Sequence, residues 1–383
     1  MKKIYKLSEP YIDNKEIRNV VKVLKSGWLT SGPLTLKLEE QIRKKIKTKN
    51  VIAVNSATSG IFICLVAMGA KKGDEVITPS NTYISTINTI YNLGLKISLC
   101  DIELSTGNVN EAEFSKKITK KTKFFIPIHN GGNPLNLNKL VQIAKKNKIK
   151  IIDDAATAFG SKINNKYVGS FNDTVTVFSL HANKLVTSGE GGFITTNNNK
   201  LAKKIRILIN SGLDKDTWNR KNTKNYRILN AGLPGYKFNF NDILSSIAII
   251  QIKKIDKIIK YRKKLKNRYL KKLNSLITNR IIEIPSVSKT DISALYNFLI
   301  LFKKINVRDK VAKFLQEKKI YSTIHYTPAH KHSFYKKKLN GSNLININYF
   351  FKNSLSLPFH NNLTLRDIDF ITFQIKKFFN EKK

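Results

Sequence analysis

The chain has 383 residues, with 69 lysines and arginines against 26 aspartates and glutamates, a net charge of +43. That balance first suggests nucleic acid or an anionic membrane surface, yet the lysines are spread along the chain in pairs such as Lys2-Lys3, Lys71-Lys72, Lys145-Lys146 and Lys382-Lys383, so they read as solvated helix faces. There is no zinc-finger spacing or RNA-binding aromatic motif, and no run reaches the ~18 apolar residues of a membrane span.

The opening stretch "MKKIYKLSEPYIDNKEI" lacks an apolar leader core, and the two cysteines, Cys64 and Cys100, sit in apolar surroundings without metal-ligand spacing. A reduced, cytoplasmic protein that holds no metal is expected. Helical periodicity marks "IRNVVKVLKSG" and "LTLKLEEQIRKKI". Then strand and helix alternate: "NVIAVNS", "GIFICLVAMGA", "DEVITPS", "STINTIYNLG", "LKISLCDI", "KFFIPIH", "NLNKLVQIAKKN" and "KIKIIDDA". This α/β alternation predicts a mostly parallel sheet covered on both faces. Past "GLPGYKFNFND" a long amphipathic helix runs from about Asp242 to Lys272. We therefore expect a large domain over residues 1–241, N-terminal segment included, and a smaller C-terminal α/β domain over 242–383.

Function in such a sheet is expected where strands end and helix N-termini gather, because backbone N–H groups there hold anions. Three junctions have suitable chemistry. "NSATSG" closes a strand with small residues and hydroxyls that suit a phosphate, and serves equally as an ordinary helix cap. "IIDDAATAFG" ends an apolar strand in Asp153 and Asp154, of which alternation lets only one face a site. That one either meets a cation or donor there, or caps the next segment. "FSLHANKLVTSGEGG" sets Lys184 after Ser179 and His181 and before a glycine-rich turn. A lysine beside hydroxyls, with a carboxylate from a neighbouring strand, has the parts for Schiff-base chemistry, which needs an amine of lowered pKa. An exposed lysine is the other reading.

These stretches, with "SGWLTSGP", "GDEVITPSNTY", "IPIHNGGNP" and "GYKFNFNDILSSIA", occur in the order found in the DegT/DnrJ/EryC1/StrS family of pyridoxal-phosphate-dependent sugar aminotransferases, which the chain resembles nearly end to end. The resemblance implies the aspartate-aminotransferase fold (fold type I), with a mostly parallel seven-stranded sheet. "SGLDKDTWNR" followed by "GYKFNFNDI" is most similar to the branch that aminates UDP-linked 4-keto sugars, as the enzyme making 4-amino-4-deoxy-L-arabinose does. Carried over by residue, it implies that Lys184 forms the Schiff base with pyridoxal 5′-phosphate and moves protons. Asp154 would pair with the pyridine nitrogen and Tyr83 would stack on the ring. Thr58, with the backbone at Ala57 and Ser59 and the Ser179 hydroxyl, would hold the phosphate. Asn239 or Lys237 would reach the cofactor of a second subunit, so that a homodimer shares its sites.

The partners implied are a nucleotide sugar and an amino donor, glutamate in most of the family. The expected setting is surface polysaccharide, lipopolysaccharide or glycan synthesis. Thr157 stands where the family has His or Gln near the cofactor's phenolic oxygen, Asn210-Ser211-Gly212 replaces a His-Gly pair, and Gly60 stands where alanine is usual. Relatives that remove a hydroxyl carry histidine in place of the lysine, so Lys184 argues against that chemistry. For the substrate, Thr30 and Ser31 are candidates, with Trp28 read as packing. His129 and His330 are candidates too, each of which could equally be a structural histidine. Arg220 could meet a pyrophosphate in forked geometry, or lie on the surface. The alternative from another class is a non-catalytic regulator on the same fold whose basic surface binds nucleic acid. Intact Lys184 and Asp154 favour the enzyme, for which no nucleic-acid or membrane partner is expected.

Overall fold

The computed structural model describes residues 3–213, 230–286, 288 and 290–380. The chain opens with helices α1 (Asn14–Ser26) and α2 (Pro33–Ile46). Strands β1 (Asn50–Val54), β2 (Glu75–Pro79), β3 (Lys96–Cys100), β4 (Thr122–Phe125) and β5 (Lys150–Asp154) follow, interleaved with α3 (Ala57–Ala67), α4 (Ile84–Asn92), α5 (Glu111–Ser115) and α6 (Leu137–Lys146). A short hairpin, β6 (Lys162–Ile163) and β7 (Lys166–Tyr167), precedes β8 (Thr174–Ser179), β9 (Gly192–Thr196) and α7 (Asn199–Ile209). The remainder comprises α8 (Asp242–Thr278), β10 (Ile282–Glu283), β11 (Phe298–Phe302), α9 (Arg308–Glu317), α10 (Ser333–Lys336), α11 (Ile345–Asn353), β12 (Ser354–Leu357) and α12 (Leu365–Asn380).

Seven strands form one sheet in the order β1-β9-β8-β5-β4-β2-β3, and only β9 runs against the others. Alternation along each strand feeds two cores. On β1, Val51 and Ala53 face the side covered by α2, α6 and the first half of α8, whereas Ile52 and Val54 face α3 and α7. This is the mostly parallel, doubly covered sheet expected of fold type I. A third core lies beyond it, where Leu265, Tyr269 and Leu273 of α8 meet β11, β12, α9 and α12.

Helix α8 is longer than expected, running to Thr278, and supplies both the first core and the third. The N-terminal segment, expected with the large domain, also reaches the C-terminal region. The Tyr5 N–H donates to the Lys319 carbonyl, and the Phe359 N–H donates to the Leu7 carbonyl. Further along, the segment meets α8: Gln251 donates to the Tyr11 carbonyl, and buried Glu16 accepts from Gln251 and Lys254.

Local signals set the helix starts that matter here. Ser56 caps α3 by accepting the Ser59 N–H, and Asn241 caps α8 by accepting the Leu244 N–H. Gly60 is explained by packing: a Cβ there would lie 2.7 Å from Val177 Cγ1 on β8, so the helix can approach the sheet this closely only without a side chain. Both cysteines are buried, and burial pushes their thiols well above the usual range, which leaves them inert.

Candidate active site

Six of the seven strands of the sheet point their C-terminal ends the same way, and a cavity of about 330 Å³ opens at that edge. The start of α3 contributes Ser56, Ala57 and Thr58; α4 contributes Tyr83, its cap residue, and Thr86; β5 and β8 end there in Asp154 and Ser179. Lys184 enters from the loop between β8 and β9. That loop is tied back on itself by Ser188 N–H to the Leu180 carbonyl, Thr187 Oγ1 to the same carbonyl at 2.9 Å, and Lys184 N–H to the His181 carbonyl.

Asp154 is buried, with one donor on each oxygen: the Ala156 N–H at 3.1 Å and the Thr86 hydroxyl at 3.0 Å. Burial pushes its carboxyl above the usual range, opposed by the Ala156 N–H, the Thr86 hydroxyl and the charge of Lys184. Among the described residues neither Asp154 nor Lys184 has an ion-pair partner. The Lys184 ammonium lies 4.6 Å from the centre of the Tyr296 ring, within cation–π reach. Asp153 points to the other face of β5, where His129 Nε2 approaches its carboxylate at 3.0 Å.

Of the residues expected at a site, Ala57, Thr58, Tyr83, His129, Asp154, Thr157, Ser179 and Lys184 line this one cavity. Several others take different places. Ser59 is not at the cavity: its N–H is already spent on Ser56, the residue that caps the helix. The Thr157 hydroxyl is also engaged, donating to the His129 carbonyl at 2.7 Å and accepting the Gly132 N–H at 3.2 Å. His129 borders the cavity as well, but it is fully buried and both its ring nitrogens are held by protein groups, Asp153 and the Leu135 N–H. His330 lies outside this cavity, with Ser80 and Asn348 at its two nitrogens. Thr30 and Ser31 precede α2 and do not reach the cavity of their own chain, and Trp28 packs over Gly32 with its indole N–H on the Ser31 carbonyl. Lys237 and Asn239 bridge to Asn210 and Val54 outside the cavity. Arg220 lies outside the described residues.

An aromatic residue not singled out from the sequence, Tyr326, completes the wall. Tyr326 packs edge-on against Tyr83 with ring centres 5.8 Å apart, and Tyr296 and His325 stand behind it. Burial and its contact with Tyr296 keep the Tyr326 hydroxyl protonated. Burial, reinforced by Lys184, lowers His325 to about 4. Thr86 was legible in principle: it stands three positions after Tyr83, a spacing that puts both on one helix face.

With this geometry in view, the likeness to known proteins is specific. The model of the DegT/DnrJ/EryC1/StrS aminotransferase family matches residues 10–376. The chain belongs to this family. An uncharacterized protein of Methanocaldococcus jannaschii, MJ1066, is 36% identical over 98% of this chain and 97% of its own length. The spore coat polysaccharide biosynthesis protein SpsC of Bacillus subtilis is 32% identical over 94% of each. Among solved structures, the PLP-form of Spr1654 from Streptococcus pneumoniae, assigned as a sugar aminotransferase, superposes with a TM-score of 0.91 at 27% identity, covering 99% of both chains. Helicobacter pylori PseC, an aminotransferase in the biosynthesis of pseudoaminic acid, gives 0.91 at 25% identity over 99% of this chain and 100% of its own. This family member is an aminotransferase whose cofactor is pyridoxal 5′-phosphate. No described helix is long and apolar enough to cross a membrane.

Proposed function

We propose that this sugar aminotransferase moves an amino group from an amino acid, glutamate as the expected donor, onto the keto carbon of a nucleotide sugar. A UDP-linked 4-keto sugar is the leading substrate class, and surface polysaccharide or glycan synthesis the setting. The reading that a polysaccharide is the end product draws on the name of SpsC.

One observation carries the assignment of roles: a buried carboxylate without a cation partner among the described residues, Asp154, shares a cavity with Lys184 and with the start of α3. These residues fit the cofactor. Asp154 would hold the ring nitrogen in its protonated form, and that positive charge would relieve the cost of burying the carboxylate. Ala57 N–H and the Thr58 and Ser179 hydroxyls would hold the phosphate at the helix N-terminus. Tyr83 offers the ring face, and Lys184 would hold the cofactor covalently between turnovers. Pyridoxal phosphate, when bound, supplies the carbonyl that carries the nitrogen and a ring that withdraws electrons from the carbon being deprotonated.

The chain's own part is then to orient and to move protons. Lys184, once its amine is free, takes a proton from the carbon bearing the amino group of the donor and later returns one to the sugar carbon being aminated. Tyr326 and Tyr296 exclude water on the side facing the C-terminal region. Asn239 or Lys237 of a second copy would complete the phosphate site in a homodimer.

The test is the absorbance spectrum of the purified protein with pyridoxal phosphate, before and after glutamate, beside Lys184→Ala. A visible band that glutamate bleaches, and that the variant lacks, is expected. Keto sugars on UDP, dTDP and GDP are then offered to the glutamate-treated enzyme, and return of the band reports which one accepts the nitrogen. No band in the wild type, with salt-sensitive DNA binding in its place, would sink the proposal.

A further inference from the structure

Two threonines on α4 use their hydroxyls differently. Thr89 Oγ1 donates to the Ser85 carbonyl one turn back at 2.9 Å, the ordinary local bond of a helical threonine. Thr86, in the first turn, turns its hydroxyl away from the helix and donates to Asp154 Oδ2 across a gap of 68 residues in sequence. It is 1% exposed although it borders the cavity. The other carboxylate oxygen is held by the Ala156 N–H, two residues further along the same segment. Rotation of the carboxylate is therefore set from two directions, and only the Thr86 bond comes from a different element.

We infer that Thr86 is a positioning residue for the cofactor, its hydroxyl keeping the Asp154 carboxylate ionised and aimed into the cavity for the ring nitrogen. The inference rests on the role proposed above for Asp154. The start of α4 adds to the effect, because its cap residue Tyr83 makes no side-chain cap bond and the helix N-terminus favours a nearby negative charge. A β-branched side chain with few rotamers suits a fixed donor. The other groups that act on Asp154 are Lys184, which favours its charge, and Asp153, which opposes it. His129 holds Asp153 from behind, and the charge of Asp154 also acts on the Tyr326 hydroxyl, raising it.

The experiment compares Thr86→Val, Thr86→Ser and Asp154→Asn with the wild type in full-length protein. The dissociation constant of pyridoxal phosphate is measured by equilibrium dialysis from pH 5 to 8, beside the melting temperature of the cofactor-free protein. Protonating Asp154 removes the partner of the ring nitrogen, so binding weakens as pH falls. Losing a hydrogen bond to a charged group should weaken binding about tenfold in Thr86→Val and move the onset of weakening up by about one pH unit. Thr86→Ser, which keeps the hydroxyl, should stay within about threefold of the wild type. The inference is overturned if Thr86→Val binds like the wild type while Asp154→Asn loses the cofactor, an outcome that leaves the role of Asp154 standing. It is also overturned if Thr86→Val weakens binding equally at every pH, which marks a merely structural role. Wild-type binding by Asp154→Asn would instead defeat the reading of Asp154 itself. Should Thr86→Val fail to fold, the pH onset in Thr86→Ala decides in its place.

Discussion

His129 and Asp153 form a fully buried pair whose proton the geometry locates. The Leu135 N–H donates to His129 Nδ1 at 2.8 Å, so the ring proton sits on Nε2 and faces the Asp153 carboxylate at 3.0 Å. Thr176 adds a donor to that carboxylate at 3.3 Å. Removing the imidazole would leave a buried charge without its partner, so His129→Ala should cost about 3 kcal/mol or more in urea unfolding. Replacing both residues by apolar ones should cost less than His129→Ala alone. A double replacement that costs as much as the separate losses combined would show that the two are not coupled.

Gly60 and Val177 give a second test. Placing alanine, the family's usual residue, at position 60 puts a methyl group 2.7 Å from Val177 Cγ1. Overpacking costs about 1–3 kcal/mol and better helix propensity returns up to about 1 kcal/mol. Gly60→Ala should therefore lose up to about 2 kcal/mol. In the Val177→Ala background the same change should turn neutral or stabilising, which thermal melts of the four proteins would reveal.

Asp242 holds the entry to α2 from the first turn of α8. Its carboxylate accepts the Gly32, Leu34 and Thr35 N–H groups and the Thr35 hydroxyl. Asp242→Ala would leave the buried Gly32 and Thr35 N–H groups without this acceptor, whereas the Thr35 hydroxyl keeps Ser245, at a cost of about 2–4 kcal/mol. Asp242→Asn keeps one acceptor oxygen and should lose less. Equal losses in the two variants would count against this account.

Two histidines make the cofactor-free protein acid-sensitive. Burial lowers His325 to about 4 and His360 to about 4, and at His360, 3% exposed, the nearby charge of Glu9 only partly opposes that cost. Unfolded histidine takes up its proton near pH ~6.5. Their contribution is thus complete above about pH 6.5 and is lost as pH falls to about 4. His360→Phe should flatten the fall in melting temperature over that interval. An unchanged slope would assign the acid sensitivity elsewhere.

Much of this was legible in the sequence because it depends on short-range pattern. Strand and helix alternation pointed to the sheet and its two covered faces, and the motifs at strand ends brought Lys184, Asp154, Tyr83 and Thr58 to one cavity. What could not be read was which long-range partner occupies each polar atom. His129 and His330 are the right residue type near the right motif, yet Asp153, Leu135, Ser80 and Asn348 use up their nitrogens. The Ser59 N–H likewise meets a partner that the sequence does not specify, the Ser56 hydroxyl. Tyr296, His325 and Tyr326 belong to a region with no strong periodicity, and only folding brings them over Lys184.

The 37 residues of α8 span about 55 Å. Because one continuous helix is built into both the first core and the third, neither half of the molecule can melt without stripping apolar surface from the other. The N-terminal segment closes the same circuit by docking Tyr5 and Leu7 against the C-terminal region. Calorimetry should therefore record a single unfolding endotherm, and a protease cut within α8 should destabilise both halves together.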